Sequence, residues 1–176
     1  RVHPRLGRHD RAHLFHRTPG ALGVDAGDSI TSGTGNTAVG HQAGTDMTSA
    51  FGNTYLGEYA GWKATTGQNN TALGRFAAGY RTTGITGTFV GHGAGIYNNG
   101  DANTACGHEA LAGVFGGSST GYSNTAIGLS ALTSTTSGFG NVAVGNGANY
   151  YLTTGYRNVA VGFGASSAMT TAQGNT

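Results

Sequence analysis

Histidine, a side chain with acid-base chemistry near neutral pH, recurs at a fixed place in this sequence. His41, His92 and His108 each follow the glycine that ends a similar pentapeptide, and Glu58 and Arg75 fill the same place in the pentapeptides between them. If the pentapeptides stack as strands, these groups form a ladder in which His92 and His108 are neighbours about 5 Å apart, a conceivable metal pair. Because nothing supplies a third ligand, we interpret the ladder as a solvated polar edge and expect no metal site.

Other reactive groups do not form a constellation that could do catalysis. The chain has one cysteine, Cys106, which excludes an internal disulfide framework and a zinc site with several cysteines. Cys106 takes a place that valine, leucine or isoleucine takes elsewhere, so we interpret it as a small buried hydrophobic residue. The Gly-x-Gly pieces lack the strand, glycine-rich loop and helix context of a nucleotide site. We therefore expect no enzyme activity and no cofactor.

The pentapeptide Asn-Thr-Ala-Val-Gly at 36–40 belongs to an internal repeat. The steps between successive variants are 17, 17, 17, 16, 21, 17 and 17 along the chain, and the variants begin at Asn53, Asn70, Gly87, Asn103, Asn124, Asn141 and Asn158. One further step back from Asn36 reaches Pro19, which gives nine units over 19–176. Positions are numbered below from the first residue of each unit.

Four positions of the unit keep their character along the chain and are candidate structural residues. Position 5 is always glycine, position 8 is always alanine, position 4 is always apolar, and position 1 is asparagine in seven units. They include Gly40, Gly57, Gly74 and Gly91; Ala43, Ala60, Ala77 and Ala94; Val39 and Cys106; and Asn36, Asn53 and Asn70. We expect the glycines to serve a turn or a close backbone approach, and the asparagines to hydrogen-bond from unit to unit.

The unit is too short for a helical repeat, is rich in Gly, Thr and Asn, and contains one β-type pentad between glycine-bearing turns. The sequence therefore predicts an all-β fold, a parallel β-solenoid of the β-roll or β-helix kind with about nine coils, one per unit. Within the strand, positions 2 and 4 face one way and positions 3 and 5 the other. Neither face is charged, and a thin solenoid covers only one, so we expect a second copy of the chain to cover the other.

Two units depart from the common length, those beginning at Gly87 and Asn103. The longer unit ends in the common Ser-Thr-Gly sequence if four residues around 116–119 loop out. Loops of this kind commonly provide a regular rod with specific contacts. Threonine recurs at positions 2, 13 and 14, which is also typical of ice-binding solenoids, but we expect the unequal units to break such a lattice.

Aromatic residues align at two positions. Position 16 holds Phe51, Tyr122, Phe139 and Tyr156, and position 11 holds Tyr80, Tyr97 and Tyr151. We interpret such ladders as structural stacking in the first place. Trp62, Tyr97 and Tyr151 are our candidate surface contacts for a ligand.

Charge divides the chain into two parts. Residues 1–18 contain five arginines, four histidines and one aspartate, whereas 19–176 contain four basic and six acidic side chains. A nucleic-acid-binding arm is one interpretation of 1–18, but we favour a flexible or processed basic leader and expect no nucleic-acid partner. No apolar run approaches the roughly 18 residues that a membrane-spanning helix needs, so we expect no membrane insertion.

Units such as Asn-Asn-Thr-Ala-Leu-Gly and Ser-Asn-Thr-Ala-Ile-Gly-Leu-Ser-Ala-Leu resemble the repeats of bacteriophage tail-fibre proteins. They are more distantly similar to the heads of trimeric autotransporter adhesins, whose motif contains Ala-Val-Gly or Ala-Ile-Gly. The resemblance covers 19–176 and implies a homotrimeric rod, located in a virion tail fibre or at a cell surface, that binds host receptors or glycans. We expect a structural, receptor-facing shaft; the alternatives are a self-assembling extracellular filament and a glycan-binding adhesin head.

Overall fold

A computed structural model describes residues 20–116 and 119–176 of the chain. The basic leader at 1–18 and Pro19 lie outside the described residues. Each unit contributes one short strand at positions 2 to 4, where threonine or valine, alanine and an aliphatic residue favour extended backbone. The strands are β1 (Ala21–Leu22), β2 (Thr37–Val39), β3 (Thr54–Leu56), β4 (Thr71–Leu73), β5 (Thr88–Val90), β6 (Thr104–Cys106), β7 (Thr125–Ile127), β8 (Val142–Val144) and β9 (Val159–Val161).

The nine strands of the described residues form one parallel sheet in sequential order, so about eight full turns of a solenoid lie between β1 and β9. The register aligns equal positions of successive units, as in Thr37 opposite Thr54 and Val39 opposite Leu56. Backbone hydrogen bonds between coils continue outside the strands; for example, Thr48 N donates to Thr65 O at 3.1 Å. The prediction of an all-β parallel β-solenoid is confirmed.

Glycine at position 5 meets two requirements at once. Its φ lies between 128° and 137° in all nine units, a region that residues with a Cβ rarely adopt. A Cβ on Gly57 would also lie 2.7 Å from the carbonyl carbon of Gly74 in the next coil. The column of position 5 glycines is therefore both a turn and a line of backbone contact, as expected.

The position 1 asparagines form a buried hydrogen-bonded column inside the solenoid. Asn36 Oδ1 accepts from both the backbone N and Nδ2 of Asn53, each at 3.0 Å. Asn53 Nδ2 also donates to the carbonyl oxygen of Gly67, at 2.8 Å, at the far end of its own coil. Asn70 repeats this pattern one coil later. Each amide therefore joins two coils and closes its own coil, which confirms the predicted ladder.

Alanine fills the interior column at position 8, and each coil adds one bulky side chain at position 3, 9 or 12 or their equivalents. Tyr55 at position 3 is accommodated by Gly61 at position 9, where a Cβ would lie 2.6 Å from the tyrosine ring. In the coil that begins at Asn124, Ala126 takes position 3 and Leu132 takes position 9. The buried bulky residues of the other coils include Met47, Arg81, Phe89, Leu111 and Leu152. The thin core is thus filled by one large side chain per coil, which stands at different positions in different coils and faces small residues at the others.

The irregular units interrupt the turns and leave the sheet intact. Thr88 lies opposite Thr104, and Thr104 opposite Thr125, in the same register as the regular coils. Ser119, which we expected within the looped-out segment, is instead buried and bridged to Asn98. Ser119 therefore belongs to the regular part of the coil and does not loop out.

Candidate functional site

The outer side of the sheet exposes an uncharged surface along every coil. We call the side chains at positions 2 and 4 of the strands the sheet face. Position 3 is buried in β2 to β9, whereas positions 2 and 4 are exposed or half-exposed. Leu73 is 43% exposed in the middle of the sheet, and Leu22 and Val161 near its ends are 65% and 68% exposed. The prediction that one apolar strand face stays uncovered by its own chain is confirmed.

Cys106 lies on the sheet face, between Val90 and Ile127 in the position 4 ladder. Its side chain is exposed in the single chain, so the expectation of a buried residue is wrong. The repeat placed Cys106 correctly among aliphatic residues. The error came from assuming that an apolar position points inward, when alternation along the strand points it outward.

Threonine forms an unbroken ladder along position 2 of the sheet face. Its members pair in register across both irregular coils: Thr37, Thr54, Thr71, Thr88, Thr104 and Thr125. At position 2 the unequal units do not break the row, because the strands on either side of them stay in register. Aliphatic side chains run beside the threonines at position 4, and the sheet face has no charged residue in any coil.

The position 6 ladder is present as expected. Arg75 Nε donates to Glu58 Oε2 at 2.9 Å, and His41 Nδ1 lies 3.9 Å from Glu58 Oε1. The rings of His92 and His108 stack with centroids 5.0 Å apart. Within 20–116 and 119–176, no group of three or more His, Cys, Asp or Glu side chains is arranged to hold a metal ion.

Aromatic rings in the turns on the C-terminal side of the strands contact one another from coil to coil. We call Tyr59, Trp62, Phe76, Tyr80, Tyr97 and Phe115 the aromatic band. The Tyr59 ring stacks on Phe76 at 4.7 Å and meets Trp62 edge-on at 5.5 Å. From Trp62 the row continues to Tyr80 at 5.5 Å, to Tyr97 at 5.1 Å and to Phe115 at 5.3 Å. The structure thus joins two of the candidate surface contacts, Trp62 and Tyr97, through Tyr80.

Charged groups beside the aromatic band pair with each other. Lys63 Nζ lies 2.9 Å from Asp46 Oδ2 and 4.1 Å from the centroid of the Trp62 ring. Arg75, paired with Glu58, lies 4.9 Å from the centroid of Phe76. Local burial raises the pKa of Tyr97, and the neighbouring Tyr80 and Glu109 add to the rise. The band therefore combines mostly half-buried rings with two ion pairs and the carboxylate of Glu109.

The third candidate contact, Tyr151, lies apart from the aromatic band. Its ring meets that of Tyr150 at 4.7 Å and is 56% exposed. A second set of rings, at position 16, forms a regular stack: Tyr122, Phe139 and Tyr156 are nearly parallel, with successive centroids 5.0 Å apart. The predicted stacking is confirmed for these three residues.

Sequence reasoning missed two titratable groups that lie inside the solenoid. Arg81 is 2% exposed, and burial lowers its pKa to about 10. Burial raises the pKa of Tyr55 to about 12, and the positive charge of Arg81 partly offsets the rise. The available signal was positional, because Arg81 shares position 12 with Met47 and Leu152. The contact of Trp62 with Tyr59, which stacks on Phe76, was not predicted, because Trp62 is at position 10 of the unit and the other two are at position 7.

No helix in the described part of the chain is long and apolar enough to cross a membrane. Comparisons of the chain with protein-family models, with curated proteins and with solved structures give no match.

Proposed function

We propose that this chain is a structural, receptor-facing shaft segment of a fibre of the phage tail-fibre kind, outside the cell, with three copies packed side by side through their sheet faces. The proposal assigns no catalysis. The observation that carries it is the sheet face, an uncharged row of threonine and aliphatic side chains along all nine strands. Eight strand spacings make this row about 38 Å long.

An apolar surface of this length and continuity is typical of an interface rather than of a monomer's exposed surface. The parallel register keeps equal residues in straight columns, so a sister copy with the same spacing can match them coil by coil. Threonine hydroxyls at position 2 then hydrogen-bond at the rim while position 4 side chains pack at the centre. Three copies follow from the resemblance to tail fibres and adhesin heads, and side-by-side packing follows from the sheet face.

The mass of the native particle tests this proposal. We expect light scattering on the chromatographed protein to give the mass of three chains. Leu73→Asp places a charge at the centre of the sheet face and should yield monomers, because an unpaired buried charge is costly at an interface. Leu129→Asp is the matched control: Leu129 is 50% exposed but lies at position 6, outside the sheet face.

Circular dichroism on each variant separates dissociation from unfolding. Monomeric wild type would contradict the proposal, and so would a Leu73→Asp protein that keeps the full mass. The ice-binding alternative is tested by thermal hysteresis on the wild type. We expect none, because a threonine ladder covered by sister copies cannot contact ice.

A further inference from the structure

Tyr80 and Tyr97 form a pair of phenol rings that joins two successive coils. Both residues are at position 11, one in the coil that begins at Asn70 and the other in the coil that begins at Gly87. Their ring centroids lie 5.1 Å apart, and the ring planes are tilted by 32°. Because the parallel register places equal positions of successive coils side by side, this contact is set by the fold.

The neighbouring coils offer neither ring a second tyrosine at position 11. In the coil before Tyr80 this position is Lys63. In the coil after Tyr97 it is Gly113. Within 20–116 and 119–176, the other contact between two tyrosine rings joins residues 150 and 151, which are neighbours in one coil. A reaction between contacting phenols of different coils therefore has a single product in the described part of the chain.

The hydroxyl groups of the pair lie near each other and near a carboxylate. Local burial raises the pKa of Tyr97, and the phenol of Tyr80 and the carboxylate of Glu109 raise it further. Because electrostatic interactions weaken with distance, this influence places both phenol oxygens at the same end of the pair. The ring carbons next to those oxygens, the ortho carbons, lie at that end as well. Glu109 offers a carboxylate that accepts the proton which a phenol releases on oxidation.

Other rings cover the outer sides of the pair. Trp62 meets Tyr80 edge-on at 5.5 Å, and Phe115 meets Tyr97 edge-on at 5.3 Å. Both tyrosines are half-buried, so each keeps part of its ring in water, where an oxidant can remove an electron. A radical formed on either phenol therefore has the other phenol of the pair as its nearest tyrosine partner.

We propose that Tyr80 and Tyr97 are an oxidative cross-linking site, where a haem peroxidase with hydrogen peroxide joins two coils through a dityrosine bond. Each phenol loses one electron to the oxidant and one proton to a base. The two phenoxyl radicals then form a carbon–carbon bond between their ortho carbons. The hydrogen on each joined carbon moves as a proton to the neighbouring oxygen, which restores both phenols. Peroxide takes up the two electrons and two protons and becomes two molecules of water, so the chain loses two hydrogen atoms.

The bond closes a loop of 17 residues between Tyr80 and Tyr97. It joins the coils where the asparagine column is interrupted, because Gly87 takes the place of asparagine at position 1. A cross-link that closes such a loop restricts the unfolded chain and so stabilises the folded one. This inference goes beyond the proposed fibre role and does not rest on it, since both tyrosines lie in the turns, outside the sheet face.

Peptide mapping of the peroxidase-treated wild-type protein tests the site. Trypsin cleaves after Arg75, Arg81 and Arg157, so one tyrosine of the pair lies in 76–81 and the other in 82–157. We expect these two peptides to be joined, with a mass two hydrogen atoms below their sum, in protein that runs as a single chain on a denaturing gel. That result supports the proposal. Separate peptides after treatment, or peptides joined only between chains, overturn it.

Two variants that remove one hydroxyl each locate the bond. Tyr97→Phe keeps the ring but not the phenol, so peptides 76–81 and 82–157 should stay separate. Tyr122→Phe is the matched control: it removes a phenol from the same peptide, but its ring stacks on Phe139 and not on Tyr80. The control should give as much joined product as the wild type. Joined peptides in Tyr97→Phe, or their loss in Tyr122→Phe, would overturn the assignment to this pair.

Thermal melts test the stabilising effect of the bond. We expect peroxidase treatment to raise the unfolding midpoint of the wild type by several degrees and to leave that of Tyr97→Phe unchanged. A cross-linked wild type with the midpoint of the untreated protein would overturn this role, and so would an equal rise in both proteins.

Discussion

Arg81 Nη1 donates a hydrogen bond to the carbonyl oxygen of Gly100, at 2.7 Å, inside the coil that has glycine rather than asparagine at position 1. In the regular coils an asparagine Nδ2 donates to the equivalent carbonyl oxygen, as Asn53 does to Gly67. Arg81 also donates to the carbonyl oxygen of Asn98 at 2.8 Å. Asn103 Nδ2 donates to the same oxygen of Gly100 at 2.9 Å, so Arg81 and Asn103 together replace the donor that Gly87 lacks.

Replacement of this buried arginine should destabilise the solenoid. Arg81→Ala leaves the carbonyl oxygen of Asn98 without its donor, whereas that of Gly100 keeps a hydrogen bond from Asn103 Nδ2, and an unsatisfied buried polar group costs about 1–3 kcal/mol. Because relief of the buried charge offsets part of this loss, we expect the free energy of unfolding in urea to fall by about 2 kcal/mol. The exposed Arg157→Ala should leave it unchanged. Equal stability of the two variants would mean that Arg81 is not a substitute for the missing asparagine.

The asparagine column should be far more sensitive than asparagine on the surface. Asn124 Oδ1 accepts from the backbone N and Nδ2 of Asn141, and its own Nδ2 donates to Asn103 and Gly138. Asn124→Ala breaks these bonds in three coils, so we expect a loss of about 2–4 kcal/mol in unfolding free energy. Asn146→Ala, at an exposed position 6, is the control. Similar urea midpoints for both variants would contradict the structural role of the column.

Exchange of volumes between positions 3 and 9 tests how the core is filled. Tyr55→Ala alone opens a cavity and should cost about 3–5 kcal/mol. Adding Gly61→Leu reproduces the pair found at Ala126 and Leu132, where the leucine already adopts a φ of 52° close to the 59° of Gly61. We expect the double variant to regain most of the lost stability in thermal melts. A double variant less stable than Tyr55→Ala would show that the coils do not exchange volume.

Stability at alkaline pH should depend on Tyr55. Burial raises the pKa of its phenol from the ordinary 10.0 to about 12 in the folded chain. The unfolded chain therefore binds fewer protons than the folded chain between pH 10 and pH 12. The stability that it contributes is complete below pH 10 and is lost as pH rises through 12. The shift of about 2 units corresponds to roughly 2.7 kcal/mol.

Wild type should therefore lose about 2–3 kcal/mol more than Tyr55→Phe between pH 9.5 and 12 in urea titrations. Arg81, whose pKa is lowered to about 10, has the opposite effect because the unfolded chain binds more protons above pH 10. Arg81 is present in both proteins, so the comparison reports the phenol together with its electrostatic interaction with Arg81. Parallel pH profiles would contradict the burial of Tyr55.

The repeat made the architecture predictable to the level of individual columns. Position 5 glycine, position 8 alanine and the Asn36 to Asn53 step each have one physical explanation, and the structure agrees with all three. The orientation of Cys106 was wrong because an apolar side chain at a strand position can face either the core or a neighbouring molecule. The alternation along the strand correctly predicted that positions 2 and 4 face the same side. The error was to interpret Cys106, at position 4, without the other residues of that position.

The aromatic band could be predicted only in part. Tyr80 and Tyr97 share a position, and their contact follows from the period alone. Trp62 and Tyr59 occupy other positions, and their contact depends on left-handed backbone at position 7, where Tyr59 has a φ of 59°. A sequence pattern does not specify that conformation at a tyrosine. Arg81 was missed for a similar reason, because its buried hydrogen bonds go to carbonyl oxygens of the next coil, which a sequence pattern does not show.

Reactivity of Cys106 tests most directly whether the sheet face is covered by sister copies. It is the only thiol of the chain and lies on this face between Val90 and Ile127. Reaction with a thiol reagent requires access to the sulfur. We predict that native wild-type protein reacts far more slowly than urea-unfolded protein, and that the Leu73→Asp monomer reacts at nearly the unfolded rate. Native wild type that reacts as fast as unfolded protein would contradict side-by-side packing through the sheet face.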